Sequence, residues 1–218
     1  MPTSLDSIRS AYDAASEAYS RKFLDELDRK PFDRELLQRF AELVGWGPQI
    51  LDIGCGPGHT TAHLSSLGLT TTGIDLSPKM IEQATKSFPQ SCFEVGNFLA
   101  LSRKPSSVDG ILAFYCIVHL TPNQLIPAFS EMYRVLRHNG HLLISFHVGT
   151  DVIHAENFLD TNAALDFQFF EPSQIQSALL GAGFDVIDTR VREPYELEHP
   201  STRCYIFARK PEGPAESS

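Results

Sequence analysis

The stretch Ile50-Leu51-Asp52-Ile53-Gly54-Cys55-Gly56-Pro57-Gly58-His59 reads as a short apolar strand running straight into a glycine loop and then a helix. Three glycines at alternate positions let the backbone pass close under a ligand, because a side chain there would occupy the ligand's volume. Outward from the loop, Gly73-Ile74-Asp75-Leu76-Ser77 ends a second strand on a carboxylate. A carboxylate at that edge can accept hydrogen bonds from both ribose hydroxyls. A tight turn and a solvated carboxylate account for either feature alone; together, in successive βα units, they point to a nucleoside-bearing ligand.

Apolar runs over 50–53, 71–74, 91–95, 110–115, 141–147, 184–191 and 204–208 read as strands. Helical patterns separate them over 60–67, 78–87, 122–136 and 172–180, the last three opening on Pro78, Pro122 and Pro172. Each crossover returns the chain to a parallel neighbour, so the expected fold is α/β: a Rossmann-like, doubly wound sheet of about seven mostly parallel strands. Ahead of it, Ile8, Ala11, Tyr12, Ala15, Ala18, Tyr19 and Phe23 recur at helical spacing, and a second helix is expected over 33–44. The expected organisation is a helical cap over 1–45, a ligand-binding domain over 46–210 and a flexible polar tail over 211–218.

Neutralising phosphates needs clustered Lys and Arg, so the net charge of −9 makes duplex DNA or long RNA a poor partner, and a small neutral or cationic one fits better. No apolar run approaches the roughly 18 residues of a membrane span, and the N-terminus lacks a basic-then-apolar leader, which makes the cytoplasm the expected location. Cys55, Cys92, Cys116 and Cys204 are scattered without a C-x-x-C pair, suggesting neither a zinc site nor a disulfide framework. Oligomeric state is not legible.

Two ligand classes compete for the loop. Dinucleotide sites use G-x-G-x-x-G before a helix that faces a pyrophosphate. Here the order is Gly54-x-Gly56-x-Gly58, with Pro57 inside it and Asp52 just before it. An acidic group opposes a pyrophosphate but suits the amino group and sulfonium of S-adenosylmethionine. The methyl donor is therefore preferred over a nicotinamide cofactor.

At these residues the sequence resembles the class I S-adenosylmethionine-dependent methyltransferases of small-molecule type, whose first motif L-D-[IVL]-G-C-G-x-G matches Leu51 to Gly58. Residues 73–80, the "RVLrpGG"-like 133–140 and the "aGF"-like Ala182-Gly183-Phe184 extend the resemblance over about 49–210. It implies that Asp52 and the backbone of Gly54 and Gly56 face the methionine end, that Cys55 and Gly58 belong to the same cofactor-binding loop, and that Asp75 holds the ribose. Leu76 and Met80 would sandwich the adenine. Asn97 stands where many relatives carry aspartate; its amide oxygen either accepts from the adenine amine or caps a turn, and Phe98 stacks on the base or packs. The backbone after the fourth strand, from Tyr115, would meet the amino group. Tyr12 and Tyr19 resemble the "YD…Y" helix that closes over the methionine moiety, though core packing is the alternative.

Methyl transfer from a sulfonium is an in-line displacement, so positioning and exclusion of water dominate, and only a hydroxyl acceptor gains much from a base. His119 and His147 follow strands on the ligand-binding edge and are the candidate bases; backbone-bonded imidazoles are the alternative. His147, Asp151, His154 and Glu156 share a loop, but their spacing across Gly149-Thr150 argues against a metal centre. The aromatic-rich 158–170 is either a pocket cover, or a strand edge or packing against the N-terminal helix. The expected function is methyl transfer to an oxygen or nitrogen of a small molecule, with an NAD(P)-dependent reductase and a non-catalytic nucleoside-binding protein as alternatives.

Overall fold

The computed structural model describes residues 4–45 and 47–213; the expected tail lies, from residue 214 onward, outside the described residues. Strands β1 (Gln49–Ile53), β2 (Thr70–Asp75), β3 (Cys92–Val95), β4 (Val108–Phe114) and β5 (Leu136–His147) run parallel. They alternate with α3 (His59–Ser66), α4 (Pro78–Ser87) and α5 (Pro122–Val135), while α1 (Leu5–Phe23) and α2 (Pro31–Val44) precede them. After a β6 (Val152–Ala155) and β7 (Leu165–Gln168) hairpin come α6 (Pro172–Gly181), β8 (Asp185–Arg192) and β9 (Arg203–Arg209). The main sheet has the order β3-β2-β1-β4-β5-β9-β8, and only β9 is reversed, pairing antiparallel with both neighbours. This is the mostly parallel seven-stranded sheet expected from the sequence.

The helix starts follow the sequence. Ser4 caps α1 by accepting from the Ser7 N–H at 3.1 Å, Ser77 caps α4 through the Met80 N–H at 3.0 Å, and α2, α4, α5 and α6 carry proline in the first turn. Both faces of the sheet are covered, so alternate residues of one strand enter different cores. Ile111, Leu142, Ile144 and Ile206 pack under α5 and α6 with Phe129 and Leu179, whereas Leu112, Leu143 and Phe207 pack under α2 with Leu37 and Phe40.

Two expectations change. The 141–147 strand begins earlier, at Leu136, straight after α5, and Asn139 sits at φ 62° beside a register shift in the β4–β5 pairing. The 158–170 segment combines its alternatives: it contributes the hairpin strand β7, and Leu165, Phe158 and Phe167 pack with Ile8 and Ala11 of α1, holding the hairpin over the ligand edge of the sheet. Among the described residues no helix is long and apolar enough to cross a membrane. All four cysteines are free.

The strand order reverses between β1 and β4, and both strands end at the same edge. A crevice opens at such a switch point, because the connections on either side leave in opposite directions.

Candidate functional site

The glycine loop hangs from the end of β2: the N–H groups of Gly54 and Cys55 both donate to the Ile74 carbonyl, at 2.7 and 3.1 Å. Asp75, the next residue, then accepts from the Gly56 N–H at 2.9 Å with Oδ2 and from the Ser77 N–H at 2.8 Å with Oδ1. One carboxylate thus joins the loop to the start of α4 and lines a cavity of about 370 Å³. Burial pushes Asp75 up to about 6, against the lowering effect of those two N–H donors, while Asp52 and Asp13 add repulsion. The ionised form is the better acceptor for a diol. Affinity for S-adenosylhomocysteine is therefore expected to be flat above neutrality and to weaken as pH falls through about 6. Protonation then removes the binding-competent carboxylate at up to about tenfold per pH unit, measurable by titration calorimetry.

Leu76, Met80, Gly96, Phe98 and Leu99 form the apolar end of this cavity, and Gly54, Gly56, Tyr12, Tyr19, Tyr115 and His119 the other. The surfaces fit an adenosyl group joined to an amino acid. Met80 and Phe98 offer apolar surface of the kind a flat base needs, Asp75 offers acceptors of the kind a diol needs, and a Cβ on Gly56 would point toward Tyr19, 3.6 Å away, into the cavity between them.

Helix α1 closes the cavity. Asp13 reaches the N-terminus of α4, where its Oδ1 accepts from Ser77 Oγ at 2.6 Å and the Lys79 N–H at 3.1 Å, a favourable place for a negative charge. One residue earlier, Tyr12 Oη lies 2.8 Å from His119 Nε2. Tyr19 packs beside Tyr12, with ring centroids 5.9 Å apart, and Phe158 from the hairpin side lies 5.4 Å from Tyr12.

On the far side of Tyr12, Tyr19 and Tyr115 opens a second cavity of about 430 Å³, lined also by Val118, His147, Phe158, Phe167, Tyr195 and Leu197. Tyr115 stands at φ 51°, in the left-handed region that bulky residues avoid. Its N–H is held by the Ser145 carbonyl and hydroxyl, both at 3.1 Å, so the turn aims its ring into the wall between the cavities. Polar groups close the bottom of this cavity: Glu198 takes Arg192 at 2.6 Å and Lys30 at 3.1 Å, and Lys30 takes Glu26 at 2.6 Å. In spite of burial, His59, 3.0 Å away, and Lys30 hold Glu26 down to about 2, and Arg192 and Lys30 do the same for Glu198.

Among the residues expected from sequence, Tyr12, Tyr19, Gly54, Gly56, Asp75, Leu76, Met80, Phe98, Tyr115 and His119 come together around the first cavity. Asp52, Cys55, Gly58 and Asn97 do not line it. Asp52 is 1% exposed, and its Oδ2 accepts from Thr60 Oγ1 at 2.7 Å and Thr61 Oγ1 at 2.6 Å, so it anchors α3 beneath the loop. Cys55 points into the core; Gly58 lets α3 start, where a Cβ would strike Phe93 at 2.6 Å. Asn97 takes the turn-capping alternative: its Oδ1 accepts from the Leu99 N–H at 2.9 Å. His147 lines the second cavity only, stacked on Phe169 at 5.0 Å, and burial pushes it down to about 3. His119 is engaged at both ring nitrogens, which excludes the direct contact with an acceptor expected of a base. Sequence reasoning missed Ile8, Leu99, Phe114 and Gln124 of the first cavity, and Asp33, Arg192 and Tyr205 behind the second. Of these, only the helical spacing of Ile8 with Tyr12 offered a signal. No cluster of three metal-ligating side chains occurs among the described residues.

Comparison with known proteins agrees with this geometry. Residues 50–140 match the family model of a methyltransferase domain. The O-methyltransferase cnsE of Penicillium expansum is 29% identical over 178 residues, covering 75% of this chain and 60% of that protein. The S-adenosyl-L-methionine-dependent Diels-Alderase iccD of Talaromyces variabilis is 30% identical over 127 residues, covering 52% and 43%. The chain thus spans less than two thirds of the length of these relatives. Among solved structures, the 1,6-didemethyltoxoflavin-N1-methyltransferase of Burkholderia thailandensis, with bound 1,6-didemethyltoxoflavin and S-adenosylhomocysteine, superposes with a TM-score of 0.73 at 20% identity, covering 95% of this chain and 88% of that one. With the glycine loop, Asp75 and the β3-β2-β1-β4-β5-β9-β8 sheet all in place, residues 50–140 carry a methyltransferase domain and the chain has the fold of the class I S-adenosylmethionine-dependent methyltransferases.

Proposed function

We propose that the chain binds S-adenosylmethionine in the 370 Å³ cavity and directs its methyl group to an oxygen or nitrogen of a small molecule held in the 430 Å³ cavity. Residues 46–210 carry the cofactor loop and sheet, and residues 1–45 form the cap. The observation that carries this reading is the shared wall: Tyr12, Tyr19 and Tyr115 border both cavities, so the two ligands would meet across three aromatic side chains. When bound, S-adenosylmethionine supplies an electrophilic methyl on a sulfonium.

The chain's own residues do the rest. Asp75 fixes the ribose, Met80 and Phe98 hold the base, and the tyrosine faces stabilise positive charge while excluding water from the line of attack. The small-molecule O- and N-methyltransferases among the similar proteins support an acceptor of that kind. A second reading, catalysis without methyl transfer, is favoured by the likeness to a Diels-Alderase.

Calorimetric titration with S-adenosylhomocysteine beside NADH, followed by labelled-methyl transfer to small acceptors, tests the proposal. Micromolar binding of the first ligand, none of the second, and label on the acceptor are expected. Tight NADH binding alone overturns the cofactor assignment; intact S-adenosylhomocysteine binding with no transfer shifts the reading to the non-transferring alternative.

A further inference from the structure

The hydroxyl protons of two of the three wall tyrosines are committed away from the cavities. A main-chain carbonyl can only accept, so the Asp166 oxygen, 2.8 Å from His119 Nδ1, fixes the hydrogen on Nδ1. Nε2 of the neutral ring is then a lone pair, and Tyr12 must donate to it across 2.8 Å. On the other side, Tyr205 donates to Asp33 Oδ1 at 2.9 Å and accepts from Arg192 Nε at 3.0 Å. It has no second proton, so at the 2.9 Å contact between the two phenols Tyr115 is the donor. Both wall oxygens therefore keep only lone pairs for a ligand. Whatever docks on them must bring its own hydrogen.

We propose that the acceptor is a hydroxyl compound, a phenol or an enol, whose O–H is donated to Tyr12 and whose proton passes through Tyr12 to His119 Nε2. This deepens the proposed function and rests on it. In the step, the acceptor O–H bond breaks and an O–CH₃ bond forms, while the S–CH₃ bond of S-adenosylmethionine breaks with its electron pair remaining on sulfur. Tyr12 gains the acceptor's proton as its own moves to His119. No electron is exchanged with a third party. The buried site starts with one positive charge on sulfur and ends with one on the imidazolium, so no net charge is created in a low-dielectric region.

The other titratable groups serve this role less well. Tyr115 leads to Asp33, 1% exposed, whose protonation would dissolve its 2.9 Å ion pair with Arg192 and strand that guanidinium. His147, pushed down to about 3, has little affinity for a proton at neutral pH. His119 is also lowered by burial, but the Asp166 carbonyl opposes that shift and is already placed to stabilise the charged ring. The groups facing His119 are Tyr12 from α1 and Asp166 from β7, whose carboxylate pairs with His154 at 2.6 Å. An alkylamine acceptor fits poorly: it arrives protonated, into a cavity already lined by Lys22, Arg29, Lys30 and Arg203 against Glu26 and Glu198.

Tyr12 is then a catalytic residue, and His119 acts through it as a positioning residue. The test offers the full chain a matched panel of phenols, enols, anilines, alkylamines and thiols with methyl-labelled S-adenosylmethionine, and repeats it with Tyr12→Phe and His119→Gln. Glutamine can still accept from Tyr12 but cannot take its proton. Calorimetry with S-adenosylhomocysteine and ¹⁵N resonances of the imidazoles accompany the kinetics. Label is expected on hydroxyl oxygen. Both variants should lose about 10²–10³-fold in kcat, with KM and the S-adenosylhomocysteine Kd within about threefold, and lose the imidazole limb of the kcat/KM–pH profile. The ¹⁵N spectrum should show His119 as the Nδ1–H tautomer.

Label confined to nitrogen or sulfur overturns the proposal, as does a His119→Gln variant that keeps both kcat and the limb. No label from any panel member, with S-adenosylhomocysteine still bound, overturns it while leaving the cofactor assignment standing. Absence of S-adenosylhomocysteine binding in the unmodified chain overturns the function reading itself.

Discussion

Asp75→Ala is expected to weaken S-adenosylhomocysteine binding by about 10²–10⁴-fold. In the proposed binding mode the ionised carboxylate accepts from both ribose hydroxyls, and charge-assisted hydrogen bonds contribute about 1.5–3 kcal/mol each. The substitution also frees the Gly56 and Ser77 N–H groups, which Asp75 holds at 2.9 and 2.8 Å, so the glycine loop loses its tie to α4. The folded chain should survive, because an ionised carboxylate buried against Asp52 and Asp13 is itself unfavourable, as its upward shift to about 6 records. Calorimetry with circular dichroism on the same sample checks both halves. Asp75→Asn, which keeps an acceptor without the charge, should fall between and lose the pH dependence near 6. Unchanged affinity in Asp75→Ala would remove the ribose from this end of the cavity.

Gly54→Ala is expected to destabilise the fold by about 2–5 kcal/mol. Gly54 stands at φ 67°, and an added Cβ would lie 2.4 Å from the Cβ of Cys116, an atom fixed by backbone on both sides. The left-handed conformation costs an L residue about 1–2 kcal/mol, and overpacking adds about 1–3 kcal/mol. Gly56→Ala makes the instructive contrast. At φ 51° it carries the conformational cost, but its nearest neighbour is Tyr19 at 3.6 Å, so the methyl enters the cofactor cavity instead of the core. Urea denaturation should rank Gly54→Ala as much the less stable. S-adenosylhomocysteine titration should show Gly56→Ala folded but binding poorly. Equal stability of the two variants would mean that the loop relaxes away from Cys116.

The glycine loop, Asp75, Leu76 and Met80 were legible because each lies in a local strand–turn–helix unit whose shape is set by near neighbours. The proline-led helices and the apolar strands were legible for the same reason. Asn97 was not, because an amide bonds as readily to the next turn as to a ligand, and only its geometry with the Leu99 N–H decides. Asp52 shows the limit of motif reading. Its place before the loop suggests a ligand, but the hydroxyls of Thr60 and Thr61 reach it first, once α3 turns back over β1.

By itself, then, the sequence determined the parallel sheet, its order of elements and the cofactor edge, since period, turn residues and capping are properties of short segments. The tertiary structure alone decided what lies across that edge. Tyr12 meets His119 over 107 positions, and Tyr205 meets Asp33 over 172. Which hydroxyl keeps its proton depends on those partners, and no local pattern encodes contacts between segments so far apart in the chain.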